Sequence, residues 1–414
     1  KKGFDQKNYK IDYETGNLTI KQRTITLKAK DQEKIYGNVL DLGSTKFTVE
    51  DLDGGDLPNG EVIDTVSLVS ENGVDVSTTK GVGLNEGNIS IAETSADNKT
   101  LDGKKGFDQK NYKIDYETGN LTINRREITL KAEDQEKIYG NVLDLDDAKF
   151  TVKDLDGGGG QTLPNGEKVK SLNLNSLTNK DTSTFASVDE YPNEIQVTGI
   201  KDTEGFDVNN YTINYVSGQL SITPRNIILK AEDQEKIYGD VLDLGSTKFT
   251  VEDLDGGDLP NGEKINAVRL SSYKGYSKST TAGARKYEDN ISIVPTATGA
   301  TTLTGSKGFD QENYDISYET GHLTINRREI ILKAEDQEKI YGEELDLGST
   351  AFTVVDIEDG DSWLPNAESI NSVILLSKDG VDLSRSAGVR TYSENIHIKP
   401  TAEGAETISG SGNM

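Results

Sequence analysis

The sequence contains no cysteine and only two histidines, one tryptophan and one methionine among its 414 residues. Without cysteine, disulfide bonds, thiol redox chemistry and cysteine-based zinc sites are excluded. No apolar segment approaches the length of about 18 residues that a membrane-spanning helix needs. We therefore predict that neither disulfides nor insertion into a membrane holds this protein in place.

Basic residues are scarce relative to acidic ones. Lysine and arginine number 45 against 71 aspartates and glutamates, so the formal net charge is −26. Binding to nucleic acid requires a basic surface that neutralises phosphates, and docking on an anionic membrane requires the same. The balance excludes both as partners and favours solubility and cation binding.

A tandem repeat organises most of the chain. The segment K-I-Y-G recurs with spacings of 103, 99 and 103 residues, and its tyrosines are Tyr36, Tyr139, Tyr238 and Tyr341. A second marker, G-F-D followed by N-Y, recurs with the same spacings, and its phenylalanines are Phe4, Phe107, Phe206 and Phe309. Two independent markers with one period indicate tandem duplication.

Each repeat is predicted to be all-β. Segments such as 25–30 alternate apolar and polar residues, which is typical of half-buried strands, and no segment keeps a helical period. Residues 112–116 and 121–123 are interpreted as a closing hairpin, with Gly119 in its turn in the left-handed conformation. Six to eight short strands in about 100 residues favour a small Ig-like β-sandwich. The predicted ranges are 1–20 (the closing hairpin of a preceding or partner-chain unit), 25–123, 128–222, 227–325 and 330–414 (which lacks its closing hairpin).

The linkers between repeats are short. About four residues separate the last strand of one repeat, ending at Ile123, from the first strand of the next, beginning at Ile128. They are not rich in glycine or serine, which flexible linkers are. We expect neighbouring repeats to meet end to end in a fairly stiff, elongated rod.

The repeated motifs resemble those of the MBG-type (YGX) tandem repeats of very large secreted bacterial proteins, many of them adhesins. The resemblance rests on K-I-Y-G and on a closing motif, N-Y-x-I-x-Y-x-x-G-x-L-T-I, that stands at 111–123 and recurs at 8–20, 210–222 and 313–325. It implies an extracellular stalk of Ig-like or related β-domains and carries no catalytic residues.

Catalysis has no support in the sequence. His322 and His397 have no equivalents in the other repeats, and the abundant carboxylates belong to repeated turns. We predict that the protein is not an enzyme. The repeated tyrosines and phenylalanines are interpreted as residues of the core.

The acidic turn 50–56 and its copy 252–258 are the candidate metal sites. Calcium takes six to eight oxygen ligands, which aspartates clustered around glycine can supply. A solvated acidic turn is the competing interpretation, because the spacing does not match an EF-hand loop. The candidate calcium ligands are Asp51, Asp53, Asp56, Asp253, Asp255 and Asp258.

A binding function is the alternative to a purely structural one. Residues 71–103, 171–203, 271–306 and 374–411 diverge between otherwise similar repeats. These divergent loops, together with the acidic turns, would serve a calcium-dependent or glycan-binding adhesion module with a cell-surface target. Tyr273, Tyr276 and Tyr287 make the third of these segments rich in tyrosine.

The first and last residues predict a mode of self-association. Residues 1–20 carry a closing motif, and the corresponding motif of the fourth repeat would begin after Ser411. A sandwich without its closing strands exposes apolar surface and unpaired backbone groups. One hypothesis is head-to-tail polymerisation, in which residues 1–20 of one copy add strands to the fourth repeat of another. The other is that the chain is a segment of a longer array.

Overall fold

The computed structural model describes residues 3–92, 101–146, 148–295, 303–400 and 408–412. Parts of the divergent segments and of the fourth repeat, residues 93–100, 296–302 and 401–407, lie outside the described residues. Within the described residues every regular element is a β-strand or a one-turn 3₁₀ helix. The predicted all-β class is confirmed.

The chain forms two compact units. The first comprises Lys1–Gln135, Asp144–Asp181 and Tyr191–Leu220, and the second comprises Glu136–Leu143, Thr182–Glu190 and Ser221–Met414. We keep the numbers 1 to 4 for the predicted repeats that begin at residues 25, 128, 227 and 330.

The strands of repeats 1 and 2 are mostly short, as expected for alternating segments between glycine-rich turns, with the 16-residue strand Asp189–Glu204 as the exception. They are β1 Arg23–Ala29, β2 Gln32–Ile35, β3 Phe47–Asp51, β4 Val62–Val66, β5 Leu68–Ser70, β6 Gly83–Ile91, β7 Leu101–Lys104, β8 Tyr112–Glu117, β9 Gly119–Asn124, β10 Arg126–Ala132, β11 Gln135–Ile138, β12 Phe150–Asp154, β13 Lys168–Ser176, β14 Asp189–Glu204, β15 Tyr211–Val216 and β16 Gly218–Thr223.

Repeat 3 has the strand pattern of repeat 1, and repeat 4 has part of it. Their strands are β17 Arg225–Ala231, β18 Gln234–Ile237, β19 Phe249–Asp253, β20 Lys264–Val268, β21 Leu270–Ser272, β22 Lys286–Ile293, β23 Leu303–Ser306, β24 Tyr314–Glu319, β25 Gly321–Asn326, β26 Ile330–Ala334, β27 Phe352–Asp356, β28 Ser369–Val373, β29 Leu375–Ser377, β30 Ile396–Ile398 and β31 Ile408–Ser411.

One-turn 3₁₀ helices mark the turns between these strands. They are Gln6–Asn8, Pro58–Gly60, Glu71–Gly73, Gln109–Asn111, Pro164–Gly166, Val208–Asn210, Pro260–Gly262, Tyr273–Gly275, Gln311–Asn313, Pro365–Ala367 and Lys378–Gly380.

Repeat 1 is a β-sandwich of two sheets. One sheet has the order β3-β1-β8 and the other β2-β9-β6-β5, and a separate ribbon joins β4 to β7. The alternation in β1 points Ile25 and Leu27 into the core, where both side chains are fully buried. They pack with Ile89 and Leu121 of the second sheet in one apolar cluster, which continues into the near end of repeat 2.

The predicted closing hairpin is wrong. β8 pairs in parallel with β1 and β9 pairs in parallel with β2, so β8 and β9 lie in different sheets. The chain passes from one sheet to the other at Gly119, which does not have a positive φ. A Cβ atom there would lie 2.6 Å from the carbonyl oxygen of Ala29, so glycine permits close approach of the backbones. The closing segment is therefore a sheet-switching strand pair that follows the first strands of its repeat.

Repeat 4 lacks this closing pair in the part of the chain that the structure describes. β26 pairs only with β27, and the residues equivalent to β18, 337–340, are not in a strand. Ile330 is therefore 38% exposed, whereas its counterparts Ile25, Ile128 and Ile227 are at most 1% exposed. The first strands of repeat 4 form an open edge beside exposed apolar side chains.

Residues 3–20 have local structure but form no strand. Asp5 caps the 3₁₀ turn Gln6–Asn8, and Phe4 stacks on Tyr9 with ring centroids 5.1 Å apart. Asp108, Phe107 and Tyr112 form the same turn and the same stack, with centroids 5.2 Å apart. The N-terminal segment thus begins like a closing segment, while its Leu18 and Ile20 are exposed.

Candidate functional site

The most elaborate polar cluster lies where repeat 1 meets repeat 2, and we call it the inter-repeat joint. Tyr36 of repeat 1 donates its hydroxyl to Oε1 of Glu167 in repeat 2, at 2.5 Å. Tyr211 of repeat 2 donates to the other oxygen, Oε2, at 2.5 Å. The two phenol rings meet edge to face, 5.7 Å between centroids. One buried carboxylate therefore links tyrosines of two neighbouring repeats.

Local structure positions each of these three side chains. Tyr36 follows β2, Tyr211 opens β15, and Glu167 follows the 3₁₀ turn Pro164–Gly166. Phe206 stacks on Tyr211 with centroids 4.5 Å apart. Charge-assisted hydrogen bonds of this kind are about twice as strong as neutral ones, so the joint resists separation of the repeats.

Burial and the carboxylate keep the phenols protonated. Desolvation, followed by the hydrogen bond to Glu167, raises the pKa of Tyr36 to about 12. The same causes raise the pKa of Tyr211. Both hydroxyls therefore remain neutral donors at physiological pH.

An arginine forms the second part of the joint. Arg126, in the first strand of repeat 2, donates through Nε to Asp154 at 2.9 Å. Its Nη1 donates across the joint to the carbonyl oxygen of Tyr36 at 2.9 Å and to Oδ1 of Asn38 at 2.9 Å. The ion pair with Asp154 is buried on both sides. Arginine suits this place because its planar fork reaches several acceptors at once.

The glycine of K-I-Y-G, which follows Tyr36, allows repeat 1 to approach repeat 2 closely. Gly37 has a φ of +83°, and a Cβ there would lie 2.6 Å from the side chain of Pro164. Only glycine satisfies both the left-handed backbone and this approach. The close approach of Pro164 from the neighbouring repeat therefore explains why K-I-Y-G ends in glycine.

The joint recurs between repeats 2 and 3. Tyr139 and Tyr314 donate to the two oxygens of Glu263 at 2.6 and 2.5 Å. Arg225 donates to Asp253 at 2.7 Å and to the carbonyl oxygen of Tyr139 at 3.2 Å. This second copy of the joint has the same partners in the same roles.

A partial joint connects repeats 3 and 4. Tyr238 donates to Glu368, and Arg328 donates to Asp356 at 2.6 Å and to the carbonyl oxygen of Tyr238 at 3.2 Å. Among the described residues no second tyrosine reaches Glu368. A cavity of about 380 Å³, lined by Tyr238, Ile330, Leu364 and Glu368 among others, lies at this place.

Four of the six predicted calcium ligands contact the first strand of their own repeat. Asp51 pairs with Arg23 at 2.5 Å, and Asp53 accepts the backbone N–H of Thr24 at 2.9 Å. Asp253 and Asp255 make the equivalent contacts with Arg225 and the N–H of Asn226. Asp56 and Asp258 are exposed.

Calcium and glycan binding stay predictions. No group of three or more acidic or histidine side chains within the described ranges is arranged to hold a metal ion. In the tyrosine-rich segment, Tyr276 and Tyr287 pack with ring centroids 4.5 Å apart, and Tyr273 is exposed.

The repeated motifs single out the joint tyrosines but not their role. Tyr36, Tyr139, Tyr211 and Tyr314 are buried, as predicted for core residues, yet the hydroxyls of Tyr36 and Tyr139 face the next repeat. The glutamate after each P-N-G or P-N-A turn and the arginine at or just before the first strand of each repeat were not predicted as functional residues. The arginine recurs with the repeat period of 103, 99 and 103 residues, and the glutamate recurs once in each repeat directly after the same turn, which are the signals that would have singled them out.

The fold and its joints define an all-β tandem-repeat protein. Residues 128–221, which span most of repeat 2, match the family described as MBG domain (YGX type). The resemblance inferred from the repeated motifs is confirmed by this match. No curated protein sequence matches the chain.

Two solved structures show a distant likeness. The extracellular cadherin domains 1–4 of protocadherin gamma B7 are 10% identical over 82% of each chain, with a TM-score of 0.23. Drosophila N-cadherin EC1–4 is 10% identical over 86% of this chain and 87% of that one, with a TM-score of 0.17. At these TM-scores the likeness supports no argument about function.

Within the described residues, none of the helices has the length and apolarity required to cross a bilayer.

The glycine of K-I-Y-G provides a test of the contact between repeats, because one copy of it makes the contact and another does not. Gly239 and Gly342 have φ values of +93° and +92°, but a Cβ would lie 2.6 Å from Pro365 only at Gly239. We expect Gly342→Ala to cost about 1 kcal/mol, from the left-handed backbone. Gly239→Ala should cost a further amount of about 1–3 kcal/mol because of overpacking. Urea unfolding measures both; equal costs would show that the contact with Pro365 does not matter.

Proposed function

We propose that this chain is an extracellular structural protein, a stalk or fibre region of an adhesin, whose β-sandwich repeats are held end to end by the inter-repeat joint. The observation that carries the proposal is the tyrosine–glutamate–tyrosine bridge between consecutive repeats, present twice in full. Such a bridge adds no catalytic group. It joins side chains of consecutive repeats through one buried carboxylate.

The linkers support this proposal. β9 ends at Asn124 and β10 begins at Arg126, while β16 ends at Thr223 and β17 begins at Arg225. A single residue therefore separates the strands of consecutive repeats, fewer than the four expected from the sequence. A one-residue linker beside a buried ion pair leaves little freedom for bending.

Small-angle X-ray scattering tests the stalk. A stalk in which the thirteen residues 23–35 of each repeat lie along its axis would gain about 43 Å per repeat at about 3.3 Å per residue. Four repeats in line would reach about 170 Å and give a radius of gyration of about 50 Å, against about 22 Å for a compact chain of this length. The measurement is made at a dilution where light scattering shows single copies. A value near 22 Å would contradict the proposal.

We further propose that copies polymerise head to tail by strand complementation through residues 1–20. This segment is identical, residue for residue, to 104–123. In repeat 1 the latter segment supplies β8 and β9, which pair in parallel with β1 and β2. The first strands of repeat 4 nearly repeat those of repeat 1 in sequence and have no such partner in the described residues. Residues 1–20 of another copy therefore match the open edge.

The pairing can be specified from the register in repeat 1. Arg23 lies opposite Tyr112, and Ile25 lies opposite Ile114. By equivalence, Tyr9 would lie opposite Arg328 and Ile11 opposite Ile330. Tyr9 would then enter the cavity beside Glu368 and supply the missing second tyrosine of the partial joint.

Charge favours the same segment as the donor. Residues 1–20 carry four lysines and three carboxylates, whereas the whole chain has a net charge of −26. Electrostatic repulsion from another copy therefore opposes the approach of this segment less than the approach of a strongly acidic segment. Because the donor and acceptor surfaces differ, the contact is head to tail, and copies added in this way build an open filament unless the rotation between them closes a ring.

A further inference from the structure

One position is a tyrosine in three repeats and an asparagine in repeat 1. In repeat 3, Tyr287 lies opposite Leu323 in the register of β22 and β25. In repeat 1, Asn85 lies opposite the equivalent leucine, Leu121. The corresponding residues of repeats 2 and 4 are Tyr191 and Tyr392. Repeat 1 therefore lacks an aromatic side chain that the other three repeats have at this position.

The tyrosine has the same hydrogen-bond partner in repeats 3 and 4. The hydroxyl of Tyr287 donates to the carbonyl oxygen of Gly283 at 2.8 Å, and its ring centroid lies 4.5 Å from that of Tyr276. Tyr287 is therefore only 9% exposed. In repeat 4 the hydroxyl of Tyr392 donates to the carbonyl oxygen of the equivalent glycine, Gly388, at 3.1 Å. These repeats thus share a place for a phenol ring with a carbonyl acceptor at its far end.

A cation accompanies the ring in each of the three repeats. The distances from the cation to the ring centroid are 4.7 Å for Lys180 on Tyr191, 4.5 Å for Arg285 on Tyr287 and 4.6 Å for Arg390 on Tyr392. A cation at this distance is attracted by the negative face of an aromatic ring. The place for the phenol is therefore also a place of positive charge.

Repeat 1 has a cavity here instead of a ring. The cavity has a volume of about 280 Å³, and its lining includes Val74, Lys80 and Asn85. Val74 and Asn85 are the equivalents of Tyr276 and Tyr287, the two rings that pack together in repeat 3. Sites for drug-sized ligands usually measure about 300–1,000 Å³, so a cavity of this size suits a single ring.

The acceptor and the cation are both present in repeat 1. Gly81 is the equivalent of Gly283, and in the described part of repeat 1 no tyrosine donates to its carbonyl oxygen. Lys80 lines the cavity, whereas the equivalent residues of the other repeats are Ala186, Ala282 and Ala387. Repeat 1 therefore has partners for a phenol ring without a ring of its own.

We propose that the cavity of repeat 1 binds the side chain of a tyrosine from a partner protein, at the place that the other repeats fill with a tyrosine of their own. By equivalence with repeat 3, the ring packs on Val74 and its hydroxyl donates to the carbonyl oxygen of Gly81. Lys80 supplies the cation. This site adds ligand binding to the proposed structural function and depends on neither the joints nor strand complementation.

Charge around the cavity favours a tyrosine within a basic segment. Glu71 and Glu86 also line the cavity, against the single positive charge of Lys80. The chain as a whole has a net charge of −26. Lysines or arginines beside the tyrosine of the partner would therefore be attracted, and carboxylates there would be repelled.

Saturation-transfer NMR on the full chain tests the site with three probes. They are p-cresol, which is the tyrosine side chain alone, and two peptides, acetyl-K-Y-K-amide and acetyl-E-Y-E-amide. We expect p-cresol to bind with a dissociation constant of about 1 mM, which is typical for so small a ligand. The lysine peptide should bind about fivefold more tightly than the glutamate peptide. Equal affinities of the two peptides would contradict a basic partner.

Two substitutions of one residue form a matched pair. Asn85→Tyr installs the ring that repeats 2 to 4 carry, so it should leave the melting temperature unchanged or higher and abolish the binding of p-cresol to this cavity. Asn85→Ala keeps the cavity open and should bind p-cresol as the unchanged chain does. Lys80→Ala should weaken the binding of p-cresol by about two- to fivefold, the effect of losing an exposed cation at the ring.

The outcomes that would overturn the site are distinct. Binding of p-cresol that is the same in Asn85→Tyr and Asn85→Ala would show that the ligand does not enter this cavity. The absence of any p-cresol signal from the unchanged chain would do the same. Methyl glucoside, a ring of similar size without a phenol, is the control ligand. Tighter binding of methyl glucoside than of p-cresol would overturn the assignment of the ligand as a tyrosine.

Discussion

Deleting residues 1–20 is expected to convert a concentration-dependent series of multiples of 45.1 kDa into a single monomeric species. The deletion removes the donor segment but no strand of repeats 1 to 4, because β1 begins at Arg23. The open edge of repeat 4 remains and has no complementary segment to accept. Size-exclusion chromatography with light scattering measures the effect on the full chain and the shortened chain.

A peptide supplies the complementary control. Residues 1–20, added as a synthetic peptide to the shortened chain, should bind repeat 4, cover Ile330 and raise its melting temperature. A peptide with Ile11→Asp and Leu18→Asp should do neither, because it would place charges where Ile114 and Leu121 pack in repeat 1. Multimers that persist after the deletion would contradict strand complementation, as would a peptide that leaves the melting temperature unchanged.

Replacing Arg126 with methionine is expected to destabilise the pair of repeats 1 and 2 by about 3–5 kcal/mol. The substitution leaves Asp154, which is buried, without its charge partner, and it removes both bonds that cross the joint to Tyr36 and Asn38. Removing one member of a buried ion pair is costly because the remaining charge is still desolvated. Urea unfolding followed by circular dichroism measures the loss.

Arg23→Met is the matched comparison. It breaks the equivalent pair with Asp51 but no bond to a preceding repeat, and the guanidinium is partly in water. We expect a smaller loss, of about 1–3 kcal/mol, since a partly solvated charge loses less. The difference between the two variants measures the joint itself. Equal losses would mean that the bonds across the joint contribute nothing to stability.

The sequence predicts the strands of this protein well because their cause is local. Alternation in 25–30 reflects the two faces of one strand, and β1 buries the residues that the pattern selects, Ile25 and Leu27. The tandem period and the family resemblance follow from repetition of identical segments. None of these features needs knowledge of which strands pair.

Pairing and the joint could not be predicted in the same way. Residues 112–123 fit a hairpin pattern, but β8 pairs with β1, which lies about 90 residues earlier in the chain. Alternation specifies which side chains face inward and says nothing about the neighbour. Tyr36 and Glu167 are 131 residues apart and belong to different repeats, so a pattern within one repeat cannot join them. Their role becomes visible only when consecutive repeats are seen together.

The parallel pairing of first and closing strands determines how a repeat responds to mechanical tension. The chain enters repeat 1 at Arg23, opposite Tyr112, and leaves after Asn124, opposite Ile35, at the other end of the paired segments. Pulling on the two ends draws parallel strands past each other in opposite directions. The backbone hydrogen bonds of both strand pairs are then loaded together in shear instead of opening one after another. A tether built from such repeats would extend little until the force is large enough to break the whole set at once.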